Sequence, residues 1–204
     1  MNILVACEES QTVCKCFRER GHNAFSCDLI NCSGEKPEWH IVADVLPLLN
    51  GNCSFVTQNG DKHYITGRWD MIIAFPPCTY LTKSGACNLF NKDHSIKDYE
   101  RYKRGIEARE FFFKIYNADC EKICIENPTP MKWLKLPQNY IVVQPWQFGH
   151  EFSKRTLLWL KGLPCLFNTL ICLEHTQFLS TVWTSKKRSK TFLGIAKAMA
   201  EQWG

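Results

Sequence analysis

The chain has 204 residues, of which 45% are hydrophobic and 22% charged, a composition typical of one folded domain with a full hydrophobic core. No apolar run approaches the roughly 18 residues needed to cross a bilayer, so neither a membrane protein nor a membrane partner is expected. The formal net charge of +5 is compatible with an anionic partner but does not require one.

The N-terminal segment MNILVACEES reaches a glutamate pair after a short apolar run, unlike a signal peptide, so we expect a cytoplasmic protein. Twelve cysteines in such a protein indicate reduced side chains, most of them in the core. The spacings of Cys14 with Cys16 and of Cys120 with Cys124 lack the paired two-residue separation of a structural zinc site. We therefore expect no metal site.

The chain begins with a predicted βαβ unit. The apolar runs 2–6 and 23–27 predict buried strands. Between them, residues 9–22 carry apolar positions at helical spacing, with Ser10 as the candidate N-cap and Gly21 able to end the helix. A strand, a helix and a strand within about 25 residues are typical of the start of a doubly wound sheet.

Further along, a short third strand precedes Asp44. Residues 52–66 flank Asn59-Gly60, a strong hairpin-turn signal that predicts an inserted β-hairpin. Residues 79–97 show no clear period and predict a long loop, of a length often found in lids. The remaining apolar patterns predict strands at 69–75, 122–126, 140–144 and 156–160 and helices at 98–117 and 189–204.

The order of these elements predicts one α/β domain over residues 1–204, built on a doubly wound, mostly parallel sheet. In such sheets, ligands bind beside the carboxyl ends of the strands. Asp28 and Asp44 follow the second and third predicted strands, and Cys78 and Glu126 follow the fourth and fifth. A single acid at a strand end is usually a turn residue, but four polar groups in register indicate a site.

The loop after the first strand, CEES, has no G-x-G-x-x-G pattern, and the chain has no P-loop motif. These absences argue against a dinucleotide site and against an NTPase. A cofactor with a ribose and an adenine but no phosphate fits better, because an acid about 20 residues past the first strand can accept hydrogen bonds from ribose hydroxyls. S-adenosylmethionine is the cofactor that we expect.

Several segments together resemble a known family: ILVACEES, CDL, ADVL, FPPC, IENP, QFGHEFSKRTLLWL and TFLGIAKAMA. In this order they resemble the cytosine-5 DNA methyltransferases, and most closely the short methyltransferase-like proteins of bacteriophages and prophages. The most specific part is the Pro-Pro-Cys of FPPC, followed about 50 residues later by the Glu-Asn of IENP. The resemblance implies a protein of a bacterial or phage-infected cell.

The resemblance also implies a reaction. Cys78 would be the nucleophile, whose thiolate adds to carbon 6 of cytosine and activates carbon 5 toward an electrophilic methyl group. Glu126 would stabilise the adduct at ring N3. The family's arginine that contacts the base is matched best by Arg155, with Lys154 as a competitor.

On the cofactor side, the resemblance implies that one strand-end acid holds the ribose, the next holds the adenine amino group, and the loop 6–10 holds the methionine end. The usual Phe-x-Gly-x-Gly of that loop is replaced by CEESQ. The candidate cofactor contacts are Ala6, Cys7, Glu8, Ser10, Asp28, Asp44 and Pro76.

Family members that read a DNA sequence insert a recognition domain before the last helix, where this chain has only residues 161–190, too few for a domain of the usual size. We therefore expect methylation of duplex or single-stranded DNA with little sequence specificity. A cytosine nucleotide or RNA substrate stays open, as does an inactive methyltransferase-like protein that binds nucleic acid or a partner. Trp146, Trp159 and Trp183 could stack on bases, although core packing is their commoner fate. The candidate nucleic-acid contacts are Lys154, Lys186, Lys187 and Arg188.

Overall fold

The computed structural model describes residues 1–173, 177–178 and 190–204. Their strands are β1 (Asn2–Ala6), β2 (Asn23–Asp28), β3 (His40–Val42), β4 (Cys53–Val56), β5 (Lys62–Ile65), β6 (Met71–Ala74), β7 (Ile123–Asn127), β8 (Tyr140–Val143), β9 (Phe152–Ser153), β10 (Thr156–Lys161) and β11 (Gln177–Phe178). Within this part of the chain, seven strands form a central sheet in the order β3-β2-β1-β6-β7-β10-β8.

The central sheet is mostly parallel. Strands β3, β2, β1, β6 and β7 run in one direction, and β10 runs antiparallel to both of its neighbours, β7 and β8. All four residues of β6 are buried, as expected of a strand that is covered on both faces. The predicted doubly wound α/β sheet is therefore confirmed.

Helices cover both faces of the sheet. In the described ranges, the α-helices are α1 (Thr12–Glu19), α2 (Tyr99–Tyr116) and α3 (Leu193–Trp203). Along β1, alternate side chains enter different core layers, because successive residues of a strand point to opposite faces. Ile3 and Val5 pack in the layer formed with α1 and α3, whereas Leu4 and Ala6 pack in the layer formed with α2.

The predicted start of α1 is wrong. Gln11, not Ser10, is the N-cap residue, and it has a left-handed backbone conformation with φ of 58°. Ser10 Oγ accepts only a long hydrogen bond of 3.5 Å from Thr12 N, and the next two amides donate to the Glu8 carboxylate, Val13 N at 2.7 Å and Cys14 N at 3.2 Å. A buried carboxylate three residues before the N-cap therefore satisfies donors that a cap side chain would otherwise bind.

The predicted hairpin is confirmed, since β4 and β5 pair antiparallel around a turn in which Gly60 has a φ of 97°. The predicted loop at 79–97 contains a short 3-10 helix at Lys83–Asn88. Among the described residues, no helix combines the length and the apolar character needed to cross a bilayer.

Candidate active site

Two cavities open at the carboxyl edge of the parallel strands. The wide cavity has a volume of about 800 Å³ and lies beside the ends of β2 and β3. The cysteine cavity has a volume of about 510 Å³ and lies beside the ends of β1, β6 and β7. Cys7, Asp28 and Pro77 line both, so the two cavities adjoin. Their place at the β1–β6 switch point is where ligands bind in open α/β sheets.

The two strand-end acids, Asp28 and Asp44, line the wide cavity as their positions in the sequence predict. Each carboxylate also orders the turn that follows it. Ile30 N donates to Asp28 Oδ1 at 3.4 Å, and Leu46 N donates to Asp44 Oδ1 at 3.0 Å. The turns hold both acids at the rim of a cavity that is otherwise largely apolar.

Two cysteines contribute to the wall of the wide cavity without forming a reactive pair. Burial, reinforced by nearby Asp28, raises the pKa of Cys7 far above its ordinary value. Burial likewise raises the pKa of Cys27 to about 12. Both therefore remain neutral thiols and act as small apolar wall residues.

The cysteine cavity brings together Cys78, Glu126 and Lys154. Cys78 follows β6 on the Pro-Pro segment, and Glu126 lies near the end of the neighbouring strand β7. Lys154 lies just before β10, with its Nζ atom 4.0 Å from Glu126 Oε1. The antiparallel β10 thus places its first residues at the edge where the parallel strands end.

Burial and charged neighbours set the pKa values of Glu126 and Cys78. Burial raises the pKa of Glu126 above its ordinary value, and the Lys154 ammonium only partly opposes this effect. Cys78 is exposed as a residue, but desolvation of its thiol and then the Glu126 carboxylate raise its pKa, whereas Lys154 lowers it. At neutral pH, Cys78 is therefore mainly a thiol, and Glu126 binds its proton more tightly than a free glutamate does.

The loop between β1 and α1 also reaches the cysteine cavity, which Cys7, Glu8 and Ser10 line. Cys7 has a left-handed φ of 58°, an uncommon conformation for a residue other than glycine. Glu8 is 4% exposed, and burial raises its pKa to about 7 despite the two amides that it accepts from. The Ser10 hydroxyl lies 3.1 Å from the hydroxyl of Thr12.

Sequence reasoning assigned no role to Asn127, although its place directly after Glu126 at a strand end was the available signal. Asn127 is 1% exposed, and its Nδ2 atom donates to the carbonyl oxygen of Pro76 at 2.8 Å. Because Pro76 begins the segment that leads to Cys78, Asn127 anchors this segment to β7. Pro76 itself lines the cysteine cavity.

Gln11 was also missed, and no local motif marks it. Its buried side chain bonds both backbone groups of Lys36, donating from Nε2 to the carbonyl at 2.8 Å and accepting from the amide at 3.1 Å. A Cβ on Gly34 would lie only 2.6 Å from Gln11 Cβ, so the two loops pack closely. These contacts fix the loop that borders the cysteine cavity.

Several predicted site residues lie elsewhere. Arg155 is exposed and lines neither cavity, whereas the adjacent Lys154 lines the cysteine cavity. Ala6 is fully buried at the end of β1. Trp159 is a core residue whose Nε1 atom donates to the carbonyl of Pro137 at 2.8 Å.

The predictions for Lys186, Lys187, Arg188 and Trp183 concern positions outside the described residues. Trp146 lies within them, in a short 3-10 helix, and is partly buried. In the part of the chain that the structure describes, no group of three or more His, Cys, Asp or Glu side chains is placed to hold a metal ion.

No family model matches the chain, and no curated protein matches it. Among solved structures, the chain is similar to a candidate DNA modification methyltransferase encoded within a prophage of E. coli, with 11% sequence identity and a TM-score of 0.47. The match covers 84% of this chain and 52% of that one, so this chain spans about half the length of that structure. A likeness at this level carries no argument about chemistry.

Proposed function

We propose that the chain transfers a methyl group from S-adenosylmethionine to carbon 5 of cytosine in DNA, through a covalent adduct with Cys78 and with little sequence specificity. The observation that carries the proposal is the pair of adjoining cavities. Cys78, Glu126 and Lys154 line one, and Asp28 and Asp44 line the other. A thiol and a carboxyl group that could act on a nucleobase therefore lie beside a cavity large enough for a nucleoside.

The wide cavity fits S-adenosylmethionine in size and in chemistry. Its volume of about 800 Å³ lies within the range of cofactor pockets. Asp28 and Asp44 supply carboxylate acceptors for ribose hydroxyls and an adenine amino group, and Leu46 and Phe111 supply apolar surface for a purine. When bound, S-adenosylmethionine supplies an electrophilic methyl group.

Cys78 begins the reaction on the cytosine. Its thiolate forms a bond to carbon 6 while ring N3 takes a proton from Glu126, and the π electrons are left on carbon 5, which becomes nucleophilic. After carbon 5 gains the methyl group, its proton leaves to a base that enters from solvent. Cys78 then departs as thiolate, the 5,6 double bond is restored, and N3 returns its proton to Glu126.

The charges of the cavity support these roles. Burial raises the pKa of Glu126, so it stays protonated to a higher pH than a free carboxyl group and is better suited to donate a proton to N3. Lys154 favours the Cys78 thiolate, because its positive charge lowers the pKa of that thiol. We assign to Lys154 the cationic role that the resemblance gives to Arg155, since Lys154 lines the cavity.

Cys78→Ala tests the proposal. Labelled S-adenosylmethionine is incubated with DNA containing cytosine, and methyl incorporation is counted. We expect the variant to lose activity by at least about a thousandfold, because the covalent route is removed. DNA containing 5-fluorocytosine should trap the wild-type protein as an adduct at Cys78, since the fluorine blocks loss of the group on carbon 5.

The matched control is Cys87→Ala. Cys87 is also exposed and lies in the same loop, but it lines neither cavity, so this variant should keep wild-type activity and trapping. Equal incorporation by the Cys78→Ala variant, or an adduct at another residue, would contradict the covalent mechanism. Failure of the wild-type protein to bind S-adenosylmethionine in calorimetry would favour the inactive, nucleic-acid-binding alternative.

A further inference from the structure

The residues directly after Cys78 are held by two arginines of α2, which we name the arginine clamp (Arg101 and Arg104). Arg101 Nη2 donates to the carbonyl of Thr79 at 2.9 Å, and Arg104 Nη1 donates to the Tyr80 hydroxyl at 2.8 Å. Both guanidinium groups also lie over the Tyr80 ring, with Cζ 5.2 Å and 5.7 Å from its centroid. Both arginines therefore contact the Tyr80 ring, and Arg104 also binds its hydroxyl.

The helix that carries the clamp is itself well anchored. The Asp98 side chain caps α2 by accepting from Arg101 N at 2.9 Å. On the second turn, a Cβ on Gly105 would lie 2.9 Å from the Trp133 ring, and that ring stacks on Tyr102 at 4.7 Å. The arginines therefore project from a fixed base.

The loop is shaped to accept the clamp. A Cβ on Gly85 would lie 2.7 Å from Arg101 Nη2, so glycine lets the backbone of the loop approach the guanidinium group closely. The loop also folds back on its own start, since Leu81 N and Thr82 N both donate to the Cys78 carbonyl at 3.0 Å. Holding Thr79 and Tyr80 therefore restrains Cys78.

The clamp also borders both cavities. Tyr80 and Arg104 line the wide cavity, whereas Cys78 and Thr82 line the cysteine cavity. Arg101 lines neither. A ligand in the wide cavity would pack against the same ring that restrains the residues next to Cys78.

We propose that Arg101 is a positioning residue for Cys78, acting through Thr79 and Tyr80, and that the clamp couples occupancy of the wide cavity to the position of the thiol. The identity of the ligand rests on the proposed function. The restraint on Cys78 does not, because it is a property of the protein without ligand.

The first measurement follows alkylation of Cys78 by iodoacetamide, read by peptide mass spectrometry, with exposed Cys165 as the internal reference. In Arg101→Gln we expect the Cys78 rate to rise about fivefold relative to Cys165, because local opening exposes the thiol. The control is Arg109→Gln. Arg109 is another partly buried arginine of α2, but it donates to the Leu134 carbonyl and lies over Phe113.

Arg109→Gln should leave the Cys78 rate at the wild-type value. An unchanged Cys78 rate in Arg101→Gln, or an equal rise in both variants, would overturn the proposal. If Arg101→Gln is unstable to heat, Tyr80→Phe serves instead, because it removes only the hydroxyl bond to Arg104 and should give a smaller rise in the same direction.

The second measurement tests the coupling with S-adenosylhomocysteine, the demethylated form of the proposed donor. It should slow Cys78 alkylation in wild type more than in Arg101→Gln, and equal slowing in both would overturn the coupling. In turnover, Arg101→Gln should lower kcat about tenfold with little change in KM for the donor. If S-adenosylhomocysteine does not bind, the proposed function is refuted. The alkylation rates of Cys78 measured without ligand still decide whether Arg101 restrains Cys78.

Discussion

The reactivity of Cys78 depends on two neighbours of opposite charge. Burial raises the pKa of the thiol most, the Glu126 carboxylate raises it further, and the Lys154 ammonium lowers it. Lys154 also lowers the pKa of Glu126, so it opposes the effect of burial on both partners. Since only the thiolate is nucleophilic, this balance sets the pH at which the cysteine becomes reactive.

Substitutions at these neighbours should move the thiol pKa in opposite directions. Glu126→Gln should lower it, because a negative charge near the thiolate is removed, and Lys154→Met should raise it, because a positive charge is removed. The pH dependence of Cys78 alkylation measures both shifts. Arg155→Met is the matched control and should shift nothing; a larger shift in Arg155→Met than in Lys154→Met would contradict the assignment of Lys154.

The sequence predicted that Cys78 and Glu126 lie at the same edge of the sheet, because each lies at or shortly after the end of a strand that an apolar run marks clearly, and both line the cysteine cavity. It favoured Arg155 as the residue that contacts the base, with Lys154 as a competitor, whereas in the structure Lys154 and not Arg155 lines the cysteine cavity. Which of these two adjacent side chains reaches the cavity depends on the register of β10, in which Leu158 lies opposite Glu126. A side chain remote in sequence also contributes, since Gln144 Oε1 accepts from Lys154 N at 2.9 Å.

At the scale of single elements, the start of α1 is the clearest difference between expectation and structure. The hydroxyl of Ser10 is a good cap by residue type, but it accepts only from Thr12 N at 3.5 Å, and the Glu8 carboxylate accepts from the amides of Val13 and Cys14. Residue type alone does not show that Glu8 is buried. Six strands of the central sheet were predicted to within two residues, because a parallel sheet covered on both faces leaves continuous apolar runs, whereas the two-residue strands β9 and β11 were not predicted.

The buried cap should make stability depend on pH. Burial raises the pKa of Glu8 from 4.5 to about 7, so the folded state favours the protonated form. The stability it contributes is fully present below pH 4.5 and is lost as pH rises through about 7, by roughly 3 kcal/mol at 1.36 kcal/mol per pKa unit. Glu8→Gln, which keeps an acceptor for Val13 N without the charge, should therefore stabilise the protein at pH 8 and not at pH 4.

Thermal unfolding at the two pH values measures this difference. The control, Glu19→Gln, removes an exposed carboxylate at the other end of α1 and should change Tm by the same small amount at both. A Glu8→Gln variant that is less stable than wild type at pH 8 would show that the charged cap stabilises α1 by more than its burial costs.

At the scale of the whole molecule, the strand order explains why a site lies where it does. The chain adds β2 and β3 on one side of β1, then crosses to β6 and β7 on the other. The loops that leave β1 and β6 therefore diverge and open a crevice between them. The sequence predicts this edge, but the partition into two adjoining cavities depends on Pro77, Tyr80 and α2, whose packing no local pattern reveals.

Substrate choice also belongs to this scale. Only about 30 residues separate the end of β10 at Lys161 from the start of α3 at Leu193, too few for a recognition domain of the usual size. The proposed function includes no recognition domain, and on that basis the free energy available to extrude a base from a duplex is small, whereas extrusion costs a few kcal/mol. Under the proposed function, we therefore expect single-stranded DNA to be methylated at least as fast as duplex DNA of the same sequence.

Methyl incorporation into matched single-stranded and duplex oligonucleotides, followed by base-resolution mapping of 5-methylcytosine, measures this expectation. The methylated positions should have only the cytosine in common, without a consensus in the flanking bases. The Cys78→Ala variant should produce no methylated positions. Incorporation should also fall with rising salt, because contacts with the DNA backbone would supply most of the binding free energy.

A consensus of several bases in duplex DNA would contradict the prediction. The chain would then recognise a DNA sequence without a recognition domain between β10 and α3. If a free cytosine nucleotide is methylated faster than either form of DNA, the nucleotide is the substrate. For a DNA methyltransferase, the contacts that a strand adds should raise the rate of methylation above that of the free nucleotide.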